Sequence, residues 1–223
     1  MRINSSYFYA RNINKKFNKY EITHNIDNNK SIIVRLDGHN LSKLFKTDKK
    51  CFNKRIYDIM YNISKNIINY FPYIIRTYSF KDEISILIDY DKFMNNKYYK
   101  NREEKLLSIL SSYVSSMFNI YNNNNDNIYS FDARLITLEN NEVDSYFKAR
   151  KAYATYTYFD RLSSFYNIKN ETKGVYNIHH ILKQGIIKDE DLYEYICFGV
   201  EGKFIDDKWI LTPDRKSKLN RHK

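Results

Sequence analysis

Two aspartates stand where apolar runs break into turns: Asp37 closes SIIVRLD ahead of Gly38, and Asp82 lies between Lys81 and Glu83. Carboxylates that reach two cations roughly 3.5 to 4 Å apart form the ligand set of two-metal phosphoryl chemistry. Magnesium suits such a pair, because it takes one or two carboxylates and completes its octahedron with water and substrate phosphates. Gly38 turns the chain without a side chain, leaving its carbonyl for a metal and nearby amides for a triphosphate. Asp-Gly after a strand, or Lys-Asp-Glu in a hairpin, is by itself ordinary turn chemistry. The pair gains meaning only if the fold brings both residues to one edge.

The elements around them predict that it does. Ser31 to Asp37 reads as a buried strand. Phe52, Ile56, Ile59, Met60, Ile63 and Ile67 recur at helical spacing before Pro72. Ile74 to Phe80 and Ile84 to Tyr90 make a hairpin across Lys81, Asp82 and Glu83. Leu106, Leu107, Ile109, Leu110, Tyr113, Val114, Met117 and Phe118 mark a second helix. A polar loop at Asn122 to Asn125 precedes a fourth strand, Phe131 to Leu138.

The order β-α-β-β-α-β is the split βαβ, ferredoxin-like arrangement of an α+β fold. Its helices cover one face of an antiparallel sheet, and its first and third strands are central neighbours. The end of the first strand then meets the hairpin that opens the third. Asp37 and Asp82 share that edge, on strands about 4.8 Å apart. Strand alternation turns Glu83 to the face opposite Asp82, in a supporting role. A further helix is expected from Glu142 to about Tyr166, and after Gly174 the pattern weakens. The chain reads as a single domain, 1–223, with a core at about 31–140 and a helical and C-terminal extension at 141–223.

Composition narrows the class. With 223 residues, 43% of them hydrophobic, the chain can bury a full core. No apolar run approaches the length of a bilayer span, so no membrane partner is expected. Cys51 and Cys197 cannot form a zinc site alone and fit a reduced, intracellular setting, cytoplasmic in the first instance. The first acidic residue is Glu21, so a mitochondrial import signal is the alternative. The formal charge of +11 suits a polyanionic partner. His179 and His180 are adjacent and cannot chelate together. Tyr153, Tyr156 and Tyr158 crowd one helix and could stack on bases. No Walker-type loop or serine or cysteine triad is present.

VRLDG at Val34 to Gly38 and DEIS at Asp82 to Ser85 resemble motifs of the histidine-tRNA guanylyltransferase family and its 3′-5′ polymerase relatives. Further blocks keep the family's order: EKLLSILSSYVSS from Glu104 to Ser116, FDAR from Phe131 to Arg134, then Tyr146 and Arg150. Phe17 to Glu21 resembles the family's opening segment. The resemblance covers about Phe17 to Tyr166.

It implies a polymerase palm with additional C-terminal helices that activates a tRNA 5′ end and adds a nucleotide to it. Two Mg2+ ions would sit on Asp37, the Gly38 carbonyl and Asp82, with ATP and GTP as substrates. Gly38, His39, Asn40, Leu41 and Ser42, with Lys81, would follow the triphosphate, and Lys50, Lys105 and Arg134 match basic positions near phosphates. The resemblance further implies a homo-tetramer. His39 replaces the family's Arg after Asp-Gly, and Ser79, Phe80 and Lys81 replace its Gly-Gln-Ser. Thr155, Thr157 and Tyr158 stand where strict members carry His and paired Asn, which favours repair or editing of truncated tRNA over obligatory guanylate addition. Two alternatives stay open: a nucleotide cyclase-like palm, against which the basic charge argues, and a catalytically inactive RNA-binding relative.

Overall fold

The structure, a computed structural model, describes residues 26, 30–45, 51–95, 102–123, 127–167, 193–206 and 208–219. The segment Phe17 to Glu21, Lys50, His179 and His180 lie outside them.

Strand β1 (Ser31–Gly38) is central. Its β-branched run is continuous because both faces are covered: Ile32, Val34 and Leu36 are buried on one side and Ile33 on the other. Helix α1 (Lys54–Tyr70) buries Ile56, Ile59, Met60, Ile63 and Ile67, and stops ahead of Pro72. Strands β2 (Ile74–Phe80) and β3 (Glu83–Ile88) form the hairpin. Helix α3 (Glu103–Asn122) buries Leu106, Leu110, Val114 and Phe118, one residue per turn, and leads to β4 (Phe131–Leu138). Fully burying each such aliphatic side chain contributes about 1.5–3 kcal/mol, so these stripes hold both helices to the sheet.

All strand pairs are antiparallel, in the order β4-β1-β3-β2-β5-β6. The first four strands have the expected split βαβ order. Three features go beyond the sequence outline. Asp89 accepts the Lys92 N–H at 3.1 Å and caps a short helix α2 (Tyr90–Met94), where the strand was expected to run on to Tyr90. Helices do not lie on one face alone: α4 (Val143–Phe165) packs Val143 and Phe147 with Ile33, Tyr78 and Phe80 on the face opposite α1 and α3. Beyond a short helix α5 (Glu194–Cys197), the C-terminal stretch adds the hairpin of β5 (Val200–Ile205) and β6 (Lys208–Thr212) to the β2 edge.

Arg76 stitches this addition in place. Its guanidinium donates to Glu201 of β5 at 2.7 Å and to Asp144 of α4 at 2.6 Å, and lies 4.0 Å over the Phe147 ring. Tyr195 donates to Asp58 of α1 at 2.6 Å, and the Trp209 indole donates to the Ser64 carbonyl at 3.3 Å. No described helix is long and apolar enough to cross a membrane.

Candidate active site

The end of β1 and the β2–β3 turn meet at one rim. Asp37 is the last side chain of β1 before Gly38, and its register partners are Glu83 on β3 and Asp132 on β4. Beyond the ladder, Gly38 N–H donates to the Asp82 carbonyl at 3.0 Å, and His39 N–H donates to the Ser130 carbonyl at 2.8 Å. The backbone of Asp82 is thereby tied to the residue after Asp37. Asp82 itself sits in the two-residue turn, where Lys81 takes the left-handed conformation at φ 50°.

Gly38 is required by packing. A Cβ there would lie 2.9 Å from Asp82 Cβ and 2.2 Å from Leu41 Cδ1. After it the chain turns through His39 and Asn40, whose side-chain nitrogens are 2.9 Å apart, with Asn40 left-handed at φ 57°. A short 3-10 turn, Leu41–Lys43, follows. Leu41 is buried beneath it, while His39, Asn40 and Ser42 are exposed.

Electrostatics mark the same rim. Burial raises the Asp82 carboxyl above its ordinary range, and the neighbouring Asp37 charge raises it further, against a bond to its own backbone and the Lys81 ammonium. Glu83 is also raised, by burial first and with Asp37 adding to it, although Arg150 and Arg35 pull the other way. Residues directly opposite on neighbouring strands share a face, so Glu83 lies on the α4 face with Asp37. There it accepts from Arg150 Nη2 at 2.5 Å, with side chains only 13% and 21% exposed.

A second row stands one pleat inside the rim, made by Ser85, Arg35 and Arg134, since Arg35 is the register partner of both others. Like charges directly opposite destabilise a sheet. Arg134 is partly compensated by Asp132, 3.2 Å from its Nε, and Arg35 by its attraction to Glu83. Ser85 Oγ and Tyr146 Oη, 2.9 Å apart, close the row against α4.

The fold therefore brings Asp37, Gly38, His39, Asn40, Leu41, Ser42, Lys81, Asp82 and Glu83 to one rim, with Arg134 a row behind. Lys105 is placed elsewhere. It lies in the first turn of α3, whereas the end of that helix reaches the rim: Ser115 Oγ accepts from Phe131 N–H at 2.9 Å. Ten residues of helix put Lys105 about 15 Å farther down. Lys50 is outside the described residues. Arg35 and Arg150 were not singled out as site residues. Alternation from Asp37 could have found Arg35, but nothing local marks Arg150 as the partner of Glu83.

The sequence matches the family described as tRNAHis guanylyltransferase over residues 14–139, more than half of the chain. A protein of Acanthamoeba polyphaga mimivirus, R259, itself uncharacterized, is 33% identical over an alignment of 133 residues that covers 48% of this chain; the chain spans just under half, 45%, of that relative. In fold, the chain is similar to a bacterial tRNA(His) guanylyltransferase-like protein in complex with ATP, with TM-score 0.72 and 21% identity over 95% of this chain and 93% of the other. A complex of such a bacterial protein with GTP gives TM-score 0.66 at 20% identity, covering 95% and 93%. The tRNA(His) guanylyltransferase of Saccharomyces cerevisiae gives 0.68 at 19%, covering 88% and 94%. The sequence match, which takes in the VRLDG, DEIS and FDAR blocks, settles the relationship: this chain belongs to the tRNAHis guanylyltransferase family.

Proposed function

We propose that the chain is a magnesium-dependent nucleotidyltransferase that adds nucleotides in the 3′-5′ direction to tRNA 5′ ends. Repair or editing of truncated tRNA is its task in this reading, ahead of guanylate addition to histidine tRNA. The observation that carries it is the joining of Gly38 to Asp82 at 3.0 Å, which sets two family carboxylates at one rim.

The rim's chemistry fits magnesium. Its donors are all oxygen: the Asp37 and Asp82 carboxylates and the Gly38 carbonyl. Asp82 pays for burial and for the Asp37 charge, and a divalent cation would relieve both penalties. Among the described residues no three His, Cys, Asp or Glu side chains are grouped to hold a metal. A pair of carboxylates remains, and magnesium fills its other positions with water and phosphate. Bound there, two ions would neutralise the triphosphate and acidify the attacking hydroxyl.

The chain's own residues position the reactants. The Gly38 and His39 amides are taken by the Asp82 and Ser130 carbonyls, so it is the backbone amides from Asn40 to Ser42 that the turn would present to the triphosphate of the incoming nucleotide. Lys81 stands beside it in the catalytic turn, and Arg35 and Arg134 offer two guanidinium groups to RNA phosphate. The incoming 3′-hydroxyl attacks the activated 5′ phosphate, a 3′-O–P bond forms, the activating nucleotide leaves, and the hydroxyl proton passes to solvent. ATP or GTP serves for activation. The relatives' solved complexes with ATP and GTP and the charge of +11 support nucleotide and tRNA as partners. Assembly as a homo-tetramer in the cytoplasm completes the reading.

The test is incubation of the protein with Mg2+, ATP, GTP and a 5′-phosphorylated tRNA lacking its first nucleotide. The expected product is longer at the 5′ end. A cyclic nucleotide would instead identify a cyclase, and RNA binding without turnover an inactive relative.

A further inference from the structure

We propose that Tyr153 and Tyr156 form a ledge on which unpaired bases at an RNA end stack beside the catalytic rim. This rests on the nucleotidyltransferase reading and extends it to how the RNA end is held.

Helix α4 climbs the sheet and passes its rim. Tyr146 meets Ser85, Arg150 meets Glu83, and Tyr153 sets its ring edge-on to Phe80, centroids 6.5 Å apart. Phe80 is the last residue of β2 before the Lys81–Asp82 turn, so Tyr153 stands level with the carboxylates. Tyr156 follows about 4.5 Å along the helix axis. The tyrosines of this helix divide sharply. Tyr158 is buried and stacks on Phe52, centroids 4.9 Å apart and planes at 8°. Tyr153 and Tyr156 are 51% and 59% exposed. Tyr158 belongs to the core, and the other two rings face solvent at the rim.

The surroundings favour nucleic acid over a second copy of the chain. Arg150 lies 5.0 Å from the Tyr153 ring centroid and braces that ring. Exposed Ala149 and Ala152 share the tyrosines' side of the helix and leave the rings proud of it. Two copies of a chain with a formal charge of +11 repel, whereas an RNA strand supplies phosphates for that charge and π-faces for the rings. A tRNA missing 5′ nucleotides leaves unpaired bases on its 3′ strand, next to the end that must enter the rim.

Fluorescence anisotropy on the full chain tests this with two labelled RNA hairpins, one with a recessed 5′ end and one blunt. Replacing both residues, Tyr153→Leu with Tyr156→Leu, should weaken the recessed hairpin about tenfold and leave the blunt one within twofold. The Tyr153→Phe, Tyr156→Phe pair, which keeps stacking, should bind as wild type. Equal loss on both hairpins, no loss, or no rescue by Phe overturns the ledge. So does a change in sedimentation of the Leu pair with RNA affinity intact, which assigns the tyrosines to a subunit contact. Wild-type protein that binds neither hairpin and extends no tRNA sinks the nucleotidyltransferase reading; wild type that extends tRNA while the Leu pair binds normally sinks the ledge alone.

Discussion

At the scale of single residues, the rim sacrifices stability for charge. The Asp82 carboxyl is raised above its ordinary value of 3.8 by burial and by Asp37. A carboxyl raised in the folded state stabilises the fold fully below its unfolded pKa, and that contribution is lost as pH rises through the folded pKa. Asp82→Asn cannot ionise and escapes the loss. In metal-free buffer it should melt a few degrees above wild type at pH 7, with the gap closing toward pH 3, while nucleotide addition falls by at least about 100-fold. Thermal melts across pH check the first part and a 5′-extension assay the second; an unchanged melting temperature would show that the ionised Asp82 carries no penalty from burial or from Asp37. Gly38→Ala acts through shape. Its Cβ would sit 2.9 Å from Asp82 Cβ, which no rotamer change can relieve, so activity should drop about tenfold or more with about 1–3 kcal/mol of stability.

At the scale of elements, α4 is tied to the β2–β3 hairpin by two ion pairs, Arg76 with the exposed Asp144 at 2.6 Å and, the more buried of the two, Arg150 with Glu83 at 2.5 Å. Removing one partner strands the other with little solvent, so Arg150→Met should destabilise by about 3 kcal/mol. The double variant with Glu83→Gln should recover most of that in urea melts. Additive losses would mean that the pair is not coupled. This contact also marks where sequence reading stops. Strand Ser31–Gly38 was legible because β-branched residues fill a buried run, and Phe131–Leu138, an edge strand, because Asp132 and Arg134 alternate with the more buried Phe131, Ala133 and Leu135. The hairpin was legible too, and with it the meeting of Asp37 and Asp82, because the split βαβ order fixes which ends adjoin. The pairing of Glu83 with Arg150, 67 residues apart, depends on how α4 docks. That helix is apolar on more than one side: Phe147 faces the sheet lower down, while Tyr158 and Leu162 join the core on the α1 side higher up. Its sequence therefore names no single buried face. The β5–β6 hairpin was hidden for a related reason, since Phe204, Ile205 and Ile210 are exposed apolar residues at the sheet edge and blur the in-out alternation.

Across the whole molecule, the C-terminal hairpin is bound to the palm through Trp209, the only tryptophan, which makes it a built-in reporter. A Cβ on Gly202 would lie 2.4 Å from Trp209 Cζ2 and 2.6 Å from Thr77 Oγ1. Gly202→Val should lift the indole from α1 and shift its emission to the red; unchanged emission would place the indole elsewhere. The charge of +11 acts at longer range. Affinity for tRNA should fall steeply and log-linearly with salt, with a slope near the number of phosphates engaged, and a flat response would remove phosphate contact from the account. All of this positions one small feature, the Asp37 and Asp82 pair. Its most direct test is a Mn2+ titration followed by electron paramagnetic resonance, with a non-hydrolysable GTP analogue present. Wild type should bind two ions per chain, and Asp37→Asn and Asp82→Asn should each lose tight binding of at least one; unchanged stoichiometry and affinity in both variants would contradict the assignment.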